Sequence, residues 1–214
     1  MLEDASVQVE VVRTFGASRV TQLLTLAPGS RRLDVETEVD WQECEKFLKA
    51  AFPLDLRADV SSAEIQFGYV QRATTSNTTW EREQFEIPAH RYLHVGEPDY
   101  GVAVVNDSTY GHDVSRTVRA DGGTTTTVRL SLLRAPRFPD PQTDLGIQRL
   151  RYALVPGATC STRPAKGTGS TSRRARCPVI TRRPARRDRP SRCRSQCTEA
   201  GRRRSGDLVV RVHE

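Results

Sequence analysis

The chain has 214 residues and a formal net charge of +7, which leaves room for one large β domain or two small ones and points, taken alone, to nucleic acid. The charge is unevenly placed: residues 1–159 carry 17 basic and 22 acidic side chains, a net of −5, whereas residues 160–204 carry 15 and 2, a net of +13. The body is therefore net acidic and the basic signal is the tail's, four of the five cysteines in the basic segment argue against a disulfide framework, and no apolar run reaches transmembrane length.

A reducing, cytoplasmic setting is the simpler expectation. The opening "MLEDASVQVEVV" is acidic and passes straight into alternation, so no secretory leader is expected there. Strand-like runs then follow one another: "VQVEVV", "RVTQLLTL", "RRLDVETEVDW", "EIQFGYVQR", "RYLHV", "GVAVVN" and "TTTVRLSLL". The third is the clearest. Leu33, Val35, Thr37, Val39 and Trp41 alternate with Asp34, Glu36, Glu38 and Asp40, a period of two that a helix would scatter around its circumference. "ECEKFLKAAF" could form a short helical turn stopped by Phe52-Pro53, but strand is favoured. "APGSRR", "GEPDYG", "RADGGT" and "APRFPDP" carry turn or loop chemistry. Many strands joined by short turns predict an all-β antiparallel sandwich.

Few residues of the body offer chemistry. His90 and His94 have the spacing of a helical zinc pair but fall in a strand-like run. Four strand residues span roughly 13 Å, whereas two ligands of one zinc each lie about 2 Å from it. The acidic row Asp34–Asp40 reads as a solvated strand face. "VVNDSTYGHDV" has two readings, a plain turn or a loop presenting Asn106, Asp107, Tyr110 and His112 to a polar ligand such as a sugar. Asn77 and Asn106 match the glycosylation pattern, which is read as chance in the absence of a leader. There is no phosphate loop and no GxSxG elbow.

The stretches "RRLDVETEVDWQECEKFLKAAFPLDL", "AEIQFGYVQRATTSNTTWEREQFEIPAHRYLHVGEPDYGVAVVNDSTYGHDV" and "VRLSLLRAPRFPDPQTDLGIQRLRYALVPG" resemble the C-terminal β region of glycoside hydrolase family 38 α-mannosidases, above all the cytosolic and bacterial branch. The resemblance covers nearly all of residues 20–158. It implies a large antiparallel β-sandwich of the galactose-mutarotase-like supersandwich type. It also implies a retaining exo-α-mannosidase whose zinc ion and aspartate nucleophile belong to a catalytic domain N-terminal to this region, and an enzyme that is a homo-oligomer at full length. The sandwich would pack on that domain and lend residues to the rim of its pocket.

The family's His-x-Asp zinc motif and nucleophile segment do not occur here, so no catalytic residue, metal ligand or cofactor is expected in this chain. Arg72, Asn77, Trp80, His90, Asn106-Asp107 and Tyr110-Gly111 match family patterns. With His112 beside them, Arg72, His90, Asn106, Asp107 and Tyr110 form the candidate substrate rim. Ala73 and Thr75 stand where the family carries proline and histidine.

Residues 160–204 are rich in arginine, proline, serine and cysteine and contain no aromatic residue. They hold too little apolar surface to offset the entropy of ordering and are expected to be disordered. The favoured reading is that they are out of frame: with GC-rich codons, single-base losses take the frame out near Thr159 and return it near Arg204, where "SGDLVVRVHE" resumes family-like alternation. Cys193 and Cys197 have near-zinc spacing without a histidine between them. The chain thus divides into 1–159, the β-sandwich; 160–204, the basic tail; and 205–214, a terminal strand. The leading expectation is the carbohydrate-contacting C-terminal β domain of an α-mannosidase, inactive alone, with α-mannosides and the catalytic domain as partners. A stand-alone carbohydrate-binding module is the alternative. A nucleic-acid binder acting through the tail would lack stacking platforms. No membrane partner is expected.

Overall fold

A computed structural model describes residues 6–159 and the backbone of 209–213. The chain division at 159/160, the disorder and frame expected for 160–204 and the Cys193/Cys197 spacing lie outside those residues. The elements are β1 (Val7–Phe15), β2 (Ser18–Leu26), β3 (Leu33–Trp41), β4 (Phe47–Leu54), β5 (Val60–Ile65), β6 (Gly68–Ala73), α1 (Thr79–Glu83), β7 (Ile87–Pro88), β8 (Tyr92–Gly96), β9 (Gly101–Asn106), β10 (Gly111–Val118), β11 (Thr124–Leu133), β12 (Gly146–Pro156) and β13 (Val209–His213). Eight strands form one sheet in the order β1-β2-β3-β12-β9-β8-β5-β6, and five form a second in the order β13-β4-β11-β10-β7. All the pairings are antiparallel. The all-β antiparallel sandwich expected from the strand pattern is what the chain forms.

Alternation sets the register. In β3, Val35, Thr37, Val39 and Trp41 are buried while Glu36, Glu38 and Asp40 face solvent. The inner faces of the two sheets share one core: Val39, Trp41, Leu93, Val104 and Tyr152 from the larger meet Leu48, Phe52, Val128 and Leu130 from the smaller. Phe52 and Tyr152 meet edge to face across that interface, with ring centroids 5.9 Å apart. The β1–β2 turn needs Gly16 at φ +54°, and a Cβ there would collide with the Glu43 carboxylate that accepts the Ala17 N–H at 2.9 Å.

The structure departs from the sequence reading in several places. "EIQFGYVQR" is not one strand but the hairpin β5–β6, turning at Gln66-Phe67, with Phe67 in the left-handed region and 98% exposed. β10 and β12 have no counterpart among the expected strands: β10 takes up the "GHDV" read as turn or loop, and β12 lies between β3 and β9 near the middle of the larger sheet. A short helix not expected from the sequence, α1, falls at Thr79–Glu83, while "ECEKFLKAAF" runs into β4, the strand favoured for it. Pro53 fits in β4 because, among the described residues, no strand pairs with β4 on the β13 side beyond Ala51.

Candidate functional site

The candidate residues gather in two places. His90, Asn106, Asp107, Tyr110 and His112 come together where the chain enters β8 and passes from β9 to β10. The turn there is tied by the Asn106 side chain: its Oδ1 accepts the Thr109 N–H at 3.1 Å, and the Asn106 N–H donates to the Arg91 carbonyl at 2.9 Å. Asp107 is held by Arg151, Nη2 to Oδ2 at 2.7 Å. Tyr110, 58% exposed, stacks on the His90 ring with centroids 5.6 Å apart and planes 16° from parallel. The Ala89 N–H donates to the Tyr110 carbonyl at 2.9 Å, and the His90 N–H to the Glu64 carbonyl at 2.8 Å, which fixes both sides of the stack. Glu64 also receives the Arg91 N–H at 2.9 Å and its guanidinium.

His112 is placed differently from the loop reading. It lies inside β10, fully buried, with its Nδ1 3.2 Å from the Tyr110 carbonyl oxygen. Burial pulls its pKa down to about 4, outweighing the hydrogen bond to Tyr110 and the charge of Asp113, so it is neutral at pH 7. Its Nε2 and the Nδ2 of Asn106 are both buried without a hydrogen-bond partner.

The second place is a groove of about 600 Å³ between β6 and the stretch of β10 beyond its short pairing with β7. Arg72 and Trp80 line it, together with Phe85, Asp113 and Arg129, which the sequence reading did not single out. The segment over the groove is shaped by a capping box. The Glu81 N–H donates to Thr78 Oγ1 at 3.1 Å, and the Glu81 carboxylate accepts the N–H groups of Thr78 at 3.1 Å and Asn77 at 2.8 Å. These bonds, the Thr78 N–H foremost, hold the Glu81 carboxyl below its usual range. Asp113 is buried between two cations, Lys49 at 2.7 Å and Arg129. No sequence spacing announces this cluster, because β4, β10 and β11 meet only through the sheet order.

The residues present do not fit a zinc ion. Among the described residues no three of His, Cys, Asp and Glu gather as a metal site. His94 is turned to the Ala158 carbonyl oxygen, 2.9 Å from its Nε2, while His90 faces Tyr110.

Residues 2–142 match the model for the glycosyl hydrolases family 38 C-terminal domain. The chain belongs to that family. It is 40% identical over 139 residues to alpha-mannosidase 2C1 of Mus musculus, covering 65% of this chain and 12% of that protein. It is 36% identical over 126 residues to the alpha-mannosidase of Saccharomyces cerevisiae, 58% of this chain and 11% of that one. The fold is that of an alpha-mannosidase crystal structure from Enterococcus faecalis, with a TM-score of 0.55 at 22% identity over 65% of this chain and 16% of that one. The family 38 chain therefore spans about an eighth of the length of the curated relatives it matches.

Proposed function

We propose that this family 38 domain is a non-catalytic wall of an α-mannosidase. It would lend the His90–Tyr110 stack and the Asn106–Tyr110 turn to the rim of a pocket whose zinc and nucleophile lie in a separate catalytic domain. The family match over residues 2–142 carries the reading. The state of the carboxylates supports it: Asp107 is bound to Arg151, Glu64 to Arg91, Asp113 to Lys49 and Arg129, and Glu81 to its own turn. Groups engaged in this way position neighbours and do not offer the opposed acid and nucleophile that glycoside hydrolysis needs. His90 and Tyr110 present a flat aromatic face suited to a pyranose ring. A cytoplasmic setting is part of the proposal, since Cys44 is exposed and unpaired. Among the described residues no helix is long and apolar enough to cross a membrane.

The test is a chimera. Residues 2–142 replace the matching segment of the yeast relative, and mannose release from a nitrophenyl α-mannoside is measured beside the purified 214-residue chain. The chimera is expected to turn over and the chain alone to be inactive. Zinc-dependent turnover by the chain alone, or a folded but dead chimera, would overturn the proposal.

A further inference from the structure

We infer that the groove between β6 and β10 binds an anionic sugar, a phosphate or carboxylate carried on a pyranose ring, with Arg72 holding the anion and Trp80 facing the ring. The inference rests on the mannoside reading above only for the identity of the sugar.

Arg72 pairs with Ser61 in the β5–β6 ladder, two positions from the Ala63–Val70 pair. That register puts its side chain on the face of buried Ala63, toward the second sheet. Its Nη1 is buried and has no hydrogen-bond partner. A desolvated guanidinium N–H without an acceptor is costly, and an oxyanion supplies that acceptor with charge assistance. The neighbouring arginines are already engaged: Arg129 with Asp113, and Arg116 with Asp59.

Four arginines (Arg72, Arg82, Arg116 and Arg129) and two carboxylates (Glu81 and Asp113) line the groove. Both carboxylates already carry donors, so the local field favours an anion. Trp80 and Phe85, 77% and 75% exposed, stand in the same lining. Exposed aromatic rings in the same lining as an unengaged guanidinium N–H suit a ring-bearing oxyanion better than a bare ion. The volume lies within the range of small-molecule sites.

The 214-residue chain is titrated, by calorimetry or amide NMR shifts, with mannose 6-phosphate and glucuronate. Mannose, inorganic phosphate and glucose 6-phosphate serve as parallel probes. At least one of the first two is expected to saturate, more tightly than mannose or inorganic phosphate. Arg72→Gln and Trp80→Ala should each weaken binding about tenfold, while Arg137→Gln, whose arginine pairs with Glu45 away from the groove, should not. Should Arg72→Gln fail to fold, Arg72→Lys keeps the charge without the fork and should still weaken binding severalfold. The inference is overturned if neither anionic sugar exceeds mannose and inorganic phosphate, or if folded Arg72 variants bind like the parent. Equal binding of glucose 6-phosphate keeps the groove and removes its support for a mannoside.

Discussion

Gln22 and Tyr152 are joined side chain to side chain by a 2.6 Å hydrogen bond in the buried layer between the sheets, the Gln22 amide donating to the phenol oxygen. Thr37 donates to the same oxygen at 3.1 Å, and Arg13 donates to the Gln22 Oε1 at 2.7 Å, so the phenol anchors a polar thread through an apolar core. Burial raises the Tyr152 pKa and keeps the phenol neutral at any working pH. Removing the hydroxyl in Tyr152→Phe strands the donors of Gln22 and Thr37, at a cost of about 1–3 kcal/mol. The double variant Gln22→Leu/Tyr152→Phe should cost less than the sum of the singles, because it removes both ends of one bond. Urea unfolding midpoints of the four proteins decide this; strict additivity would show that the bond is uncoupled.

His112 sets an acid limit on the fold. Its folded pKa of about 4 lies below the unfolded value of 6.5, so the folded state binds fewer protons. Its contribution is therefore complete above about pH 6.5 and is lost as the pH falls toward 4. The loss amounts to roughly 2 kcal/mol by pH 5. His94, also lowered by burial, acts in the same direction. Chemical denaturation at pH 7.5 and pH 5 should show a drop that is markedly smaller in His112→Phe. An equal drop in both proteins would assign the acid sensitivity to other groups.

The sequence showed most of the sandwich wherever one face of a strand meets water. β3 was legible because its carboxylates lie on the solvent face and Val35, Val39 and Trp41 on the other. β12 was not, because Tyr152, Ala153 and Val155 are buried on both faces of the sheet and the alternation dissolves there. The β5–β6 turn escaped notice because Gln66-Phe67 lacks turn chemistry, yet Phe67 takes the left-handed backbone that a bulky residue rarely adopts. His90, Asn106, Asp107 and Tyr110 could be named from the family resemblance, and the structure brings them together around the β9–β10 turn and the entry to β8. His112 looked like a loop residue by its flanks and proved to be core. The groove could not be foreseen, since Arg72 and Arg129 approach it from different sheets.

Gly101 closes the β8–β9 hairpin opposite Gly96. A Cβ at Gly101 would lie 2.3 Å from the His94 Nε2 and 2.7 Å from the Ala158 carbonyl oxygen. The imidazole could swing away, but only by giving up its contact with that carbonyl, and the backbone oxygen cannot follow. Gly101→Ala should therefore destabilise by about 1–3 kcal/mol. His94→Ala should recover part of that loss in the double variant. Thermal melts of the parent, the two singles and the double measure this; a Gly101→Ala melt at the parent temperature would show that the hairpin has slack.

Glu81 holds together the segment that carries Trp80. Its carboxylate accepts from the backbone of Asn77 and Thr78 and from the Thr75 hydroxyl at 3.2 Å, while its own N–H is capped by Thr78. Glu81→Ala removes all three carboxylate contacts but leaves the Thr78 cap, so the loss to global stability should be small. The local effect should be larger, because α1 buries none of its residues and has no core contact to hold it once the box is broken. Amide exchange at Asn77 and Thr78 should accelerate at least tenfold while β3 and β12 amides keep their protection. Glu81→Gln, which keeps the acceptor oxygen but loses the charge, should fall between the two. If Glu81→Ala leaves those two amides as slow as in the parent, the capping box is not what orders the segment.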